Sequence, residues 1–193
     1  MMQSISKFFT REELRDLIIT ILAVALVFSF PDLKKTFFTS LIIVIFSFFV
    51  HEIGHKFMAK RLGCMATYKI WPAGILLSIV SIFLKAIGGF MIIAPGYVEI
   101  MPYQFGRWGI KVIRLTPRDM GQIALAGVGV NIFLAIFFSL FSGEIFQTLS
   151  YINAVLAIFN LLPIPPLDGA RIFTWSIWFW VFLMLVTGIA LIV

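Results

Sequence analysis

The sequence predicts an all-α polytopic membrane protein of about five spanning helices, with a re-entrant and short β-type segment between the second and third. Three observations carry this reading. Of 193 residues, 61% are hydrophobic and only 12% charged, more apolar surface than a water-soluble domain of this size can bury. Several stretches reach the roughly 20 largely apolar residues that cross a bilayer. Between residues 62 and 119 the pattern changes. An oily run over 73–83 gives way to Lys85, Gly88 and Gly89, then to "FMIIAPGYVEI" and "IKVIRLTP", β-type stretches divided by Pro, Gly and Tyr.

The elements follow in order. "MMQSISKFFTREELRDL" carries Lys7, Arg11, Glu12, Glu13, Arg15 and Asp16 and has no small-residue cleavage pattern, so it reads as an amphipathic lead-in rather than a cleaved signal. The first span covers about 14–30 and stops at Pro31. The second covers about 36–59. The third, about 120–141, ends at Ser142 and Gly143, and the fourth, about 145–162, at Pro163. The fifth covers about 172–193. The region of about 70–118 holds the re-entrant and β-type part, and residues 1–193 form a single membrane-embedded domain without internal repeats. The formal charge of +6 marks the flanks of spans rather than a nucleic-acid surface. A single cysteine, Cys64, excludes an internal disulfide and reads as a small packing residue.

The second span carries the chemistry. It runs without charge from Phe37 to Val50 and then reads "HEIGH". His51 and His55, four apart on a helix, share one face one turn apart, so two imidazoles can hold one zinc ion. Glu52 stands where a carboxylate reaches a water on that metal and acts as general base. The competing reading is a pair of core histidines satisfied by hydrogen bonds. Against it, the chain has two histidines, both here, and ionisable groups inside a span are functional by default.

A hydrolytic zinc site takes three protein ligands, and no third histidine exists. Candidate carboxylates are Asp16, Asp32, Glu99, Asp119, Glu144 and Asp168, with Glu12 and Glu13 in the lead-in. Asp168 stands out in "NLLPIPPLDGARIF". Pro163, Pro165 and Pro166 break the helix and Gly169 permits a turn, a segment suited to delivering a ligand into a buried cavity. Asp-Gly also suits a plain surface turn. Asn131 and Asn160 lie in apolar spans. Each could polarise a scissile carbonyl or serve as interhelical glue; glue is the favoured reading for Asn131, and for Asn160 the two stay level.

His51-Glu52-Ile53-Gly54-His55 on one span, with Leu167-Asp168-Gly169 after "FNLLPIPP" on a later one, resembles the site-2 protease family of intramembrane zinc metalloproteases, over about residues 36–171. The resemblance implies that His51, His55 and Asp168 bind one zinc ion, that Glu52 is the catalytic base, and that substrates are themselves transmembrane helices. Asn160 matches the family's asparagine ahead of the aspartate motif. The family's A-G-P-x-x-N stretch is met by Ala126, Gly127 and Asn131, with Val128 in the proline place. No PDZ-like insertion fits.

The expected function is hydrolysis of peptide bonds within or near transmembrane helices of membrane-protein substrates, by a multi-pass protein of the cell membrane. Its partners are the bilayer and a transmembrane substrate, not nucleic acid. A helical substrate must unwind locally, and an exposed strand edge in "FMIIAPGYVEI" or "IKVIRLTP" could hold the extended segment by β-addition. The alternatives are a membrane metal transporter, which would string polar groups along several helices, and a non-proteolytic zinc-binding scaffold, which would not need Glu52. For Asp168 to meet the histidines, an even number of crossings must follow the second span, so the stretch over 73–93 cannot cross once. That arrangement leaves only Lys34 and Lys35 outside among the assigned Lys and Arg, and turns the active site toward the cytoplasm.

Overall fold

The computed structural model describes residues 9–86, 93, 95–106 and 109–192. Helix α1 (Arg11–Ser29) opens on a capping box, in which Thr10 Oγ1 accepts from Glu13 N at 3.1 Å and Glu13 Oε2 accepts from Thr10 N at 3.0 Å. Pro31 ends it. Helix α2 (Leu33–Arg61) is about 44 Å long, more than the hydrocarbon core requires. It closes with Lys60 and Arg61 in its last turn, where cations oppose the carbonyl end of the helix dipole. Gly63 follows at φ 76°, a left-handed turn that favours glycine.

Strand β1 (Met65–Ile70) comes next, then α3 (Pro72–Ala86), β2 (Gly96–Met101), β3 (Tyr103–Gly106) and β4 (Gly109–Val112). β1 pairs antiparallel with β2, Tyr68 opposite Val98, and β3 pairs antiparallel with β4. Helix α4 (Pro117–Ser139) starts on a second capping box, Thr116 with Asp119, with Pro117 in the first turn. α5 (Glu144–Leu161), α6 (Asp168–Trp175) and α7 (Ile177–Ile192) complete the chain.

Three sequence expectations change. The fifth span is not one helix over 172–193. Ser176, extended at φ −159° and ψ 111°, separates α6 from α7, and α6 begins at Asp168. In "IKVIRLTP" only residues 110–112 are strand; 113–116 carry no regular structure and Pro117 opens α4. β1 was not anticipated, although its alternation, with Ala66 and Tyr68 buried and Met65 and Lys69 exposed, is a strand signature. Ile92, Gly88 and Gly89 lie outside the described residues.

α4 packs against α2 and α5, and α1 against α2. One core joins Leu17, Val24, Val44, Phe48, Tyr68, Ile152 and Leu156; a second joins Ala124, Val128, Ile132, Ala157, Leu161 and Ile172. The outer faces are apolar as well, with Phe38, Phe57, Phe133, Trp178 and Leu185 exposed, an arrangement stable against lipid rather than water. Among the described residues two helices, α2 and α4, are long and apolar enough to cross a membrane; α3 and α7 are shorter apolar helices.

The two edges of the β1–β2 sheet are treated differently. On β1, the outward amides of Tyr68 and Ile70 donate to Glu13 Oε1 (2.8 Å) and Asp16 Oδ2 (3.4 Å), so α1 covers that edge with carboxylates. Trp71 N donates to Pro95 O, which turns the odd-numbered residues of β2 toward β1 and the even-numbered ones, Gly96, Val98 and Ile100, outward. Among the described residues no strand pairs with that outer edge.

Candidate metal centre

α2 places His51, Glu52 and His55 on successive positions of one buried face, and α6 begins with Asp168 against them; all four are buried. His51 Nε2 and His55 Nε2 lie 2.9 Å apart. Asp168 Oδ2 lies 3.0 Å from His55 Nε2 and 3.4 Å from His51 Nε2. Close helix packing makes this possible. A Cβ on Gly127 of α4 would collide with the His55 ring, and one on Gly54 with Ala126 O, so both glycines let α2 and α4 approach.

The remaining ring nitrogens are held. His55 Nδ1 donates to Ile123 O at 2.8 Å, since a main-chain carbonyl can only accept, and His51 Nδ1 donates to Asn131 Oδ1 at 2.6 Å. These bonds leave both Nε2 atoms facing the carboxylate oxygen. With Nε2 deprotonated, as metal binding requires, three acceptors face one another, an arrangement that a cation at their centre relieves. Ligand atoms around a tetrahedral zinc ion lie about 3.3 Å apart, close to the edges found here. His51, Glu52 and His55 also form a group of buried side chains able to hold a metal ion. Glu52 Oε2 is the buried side-chain polar atom without a partner among the described residues. The donor set therefore fits a divalent metal with a spare carboxylate beside it.

Comparison with known proteins agrees. A protein of Methanocaldococcus jannaschii named as a putative zinc metalloprotease is 36% identical over 182 residues, covering 89% of this chain and 88% of that protein. The model of Peptidase family M50 matches residues 141–182, the part that contains Asn160, the proline loop and Asp168. The chain belongs to peptidase family M50. A second relative, from Bacillus subtilis and likewise named as a putative zinc metalloprotease, is 30% identical over 150 residues, 68% of this chain and 65% of its own. No solved structure matches the M50 chain significantly.

The other candidate carboxylates lie elsewhere in the M50 chain. Glu99 pairs with Lys69 on an exposed face at 2.6 Å. Asp119 caps α4, Asp16 faces Arg15 and Ile70, and Asp32 precedes α2. Glu144 is exposed in the first turn of α5, and Glu12 is exposed on α1. Glu13 is buried but bound to Lys56 at 2.7 Å. Asn160 lines the same narrow cavity as the four residues, its Nδ2 donating to Leu156 O at 3.0 Å. Asn131 Nδ2 donates to Asn153 Oδ1 at 3.0 Å, and its Oδ1 contacts His51, which sequence reasoning missed. Arg171 was missed too: Nη1 lies 3.3 Å from Asp168 Oδ1 and Nη2 donates to Val98 O at 2.6 Å. The only signal for it was its place three residues after Asp168. Cys64 is buried, and burial pushes its thiol pKa up, as for an inert packing residue.

Proposed function

We propose that this chain is an intramembrane zinc metalloendopeptidase that hydrolyses peptide bonds within or near transmembrane helices. One observation carries the reading: two imidazoles and a carboxylate converge with acceptors inward beside a buried carboxylate, Glu52, that has an unpartnered oxygen. His51, His55 and Asp168 would hold one zinc ion, which would make a neighbouring water acidic near pH 7 and polarise a carbonyl.

The chain's residues do the rest. Glu52 Oε2 takes the proton of the attacking water as the new C–O bond forms. It then passes that proton to the amide nitrogen as the C–N bond breaks, so both products leave balanced. Asn160 stands in the cavity as a candidate donor to the carbonyl oxygen. The outer edge of β2, whose Gly96 and Val98 line the cavity, holds the unwound substrate segment by strand addition. Among the described residues none of the β3–β4 hairpin lines the cavity, while Gly96, Tyr97 and Val98 do, which favours "FMIIAPGYVEI" over "IKVIRLTP". A scaffold reading has no use for the spare carboxylate.

The chain crosses the bilayer five times with its site toward the cytoplasm. The charge balance supports that topology, with only Lys34 and Lys35 outside among the assigned Lys and Arg. Cysteines placed at positions 70 and 104 in a Cys64-free background should both label from the cytoplasmic side; labelling of 104 from outside would refute this topology. The function itself is tested with purified protein and a transmembrane reporter. Cleavage should occur, stop with a chelator and return with zinc. A reporter left intact by zinc-loaded protein would overturn the assignment.

A further inference from the structure

A line of buried side chains runs away from His51 across three helices. Asn131 of α4 and Asn153 of α5 are fully buried, and Ser47 of α2 nearly so. Asn153 Nδ2 donates to Leu149 O at 2.8 Å and to Ser47 Oγ at 2.9 Å. Leu149 O is a main-chain carbonyl and cannot donate, so it fixes which end of the Asn153 amide points where. Asn153 Oδ1 is thereby left to accept from Asn131 Nδ2 at 3.0 Å. That contact fixes the Asn131 amide in turn, and its Oδ1 meets His51 Nδ1 at 2.6 Å. The proton must then sit on Nδ1, and Nε2 faces Asp168 and His55.

We propose that Asn153 is a positioning residue: acting through Asn131, it locks His51 in the tautomer that offers Nε2 to a metal ion. The inference rests on His51 being a ligand. His55 needs no such line, because Ile123 O is itself an acceptor that cannot reverse. At His51 the partner is a side-chain amide, which presents a donor or an acceptor depending on a flip. Asn153 removes the choice. Outer groups that orient a metal-bound histidine are worth about 10–100-fold in metal affinity, and that is the size expected here.

The test uses the full-length protein in detergent, zinc as the probe and a competing chelator. The chain has only two histidines, so nitrogen spectra of labelled histidine in the zinc-free protein report both rings. Wild type should show both protonated at Nδ1. Asn153→Leu, similar in size, should weaken zinc about 10–100-fold and convert the His51 ring alone to a tautomer mixture. Adding Asn131→Asp should restore much of the affinity, because a carboxylate accepts from His51 whichever way its neighbours point. A mere packing role would not be rescued by a buried charge. Unchanged zinc affinity in Asn153→Leu, or a wild-type His51 protonated at Nε2, overturns the proposal, and the second readout stands even if the variant does not fold. His51→Ala separates the two levels. If it keeps zinc, the ligand reading fails. If it loses zinc while Asn153→Leu does not, only the relay fails.

Discussion

Two buried polar clusters sit side by side on α2 and differ in one respect. Around Lys56, donors meet acceptors. Its Nζ reaches Glu13 Oε1 at 2.7 Å and Ala66 O at 3.0 Å, and the Glu13 carboxylate also accepts from Tyr68 N and Thr10 N. Around His51 and His55, acceptors meet acceptors, and Glu52 keeps an oxygen without a partner. A matched cluster closes on itself and joins α1, α2 and β1. An unmatched one is stable only with a guest. Burial is similar in both, so burial alone does not mark a site; the balance of donors and acceptors does.

Breaking the unmatched cluster should have the largest effect on activity. Glu52→Gln keeps size and polarity but removes the base, so cleavage of the reporter should be abolished while about one zinc per chain remains. Near-wild-type cleavage would take Glu52 out of the mechanism, and loss of zinc would make it structural. Next, Asp168→Ala should strongly weaken zinc binding, whereas Glu99→Ala and Asp119→Ala should not, measured by metal content after chelator challenge. Normal retention in Asp168→Ala would return it to a turn residue.

The matched cluster should respond in stability rather than chemistry. Glu13→Ala strands a buried cation and should cost roughly 3–5 kcal/mol, read as a lower unfolding midpoint, with zinc content per folded molecule unchanged. Pairing Glu13→Leu with Lys56→Met should recover part of that loss, the rest staying with the Tyr68 and Thr10 amides that lose their acceptor. A zinc defect in the folded fraction would erase the distinction drawn above. The smallest effect should come from the strand edge. Ile100→Pro removes an outward-facing amide of β2 and leaves the odd-numbered ladder to β1 in place, so it should slow cleavage with zinc retained; an unchanged rate would argue against strand addition.

Much of this was legible in the sequence. The i, i+4 spacing of His51 and His55 is local, and the helix fixes what it means. Pro163, Pro165, Pro166 and Gly169 punctuate a loop wherever they occur, and Asp168 rides on it. The missing parts depend on how helices rotate against each other. Nothing in "GVGVNIF" says that Asn131 meets His51 rather than lipid, because that depends on the close approach at Gly54 and Gly127. Glu13 reads as solvated lead-in until Lys56, remote in the chain, is placed beside it. The break at Ser176 escaped notice because "TWSIW" contains neither Pro nor Gly.

Arg171 bridges the acidic corner and the strand, with one nitrogen on Asp168 and another on Val98 O. Its guanidinium is flat and rigid, so it spans two acceptors at a set separation, as a flexible ammonium cannot. In effect it is a ruler. In the proposed reading it measures the offset between the strand edge and Glu52, and that offset selects which bond of a docked segment is cut. Arg171→Lys should therefore blur the cut site, seen as a ragged set of product ends by mass spectrometry, more than it lowers the amount of product.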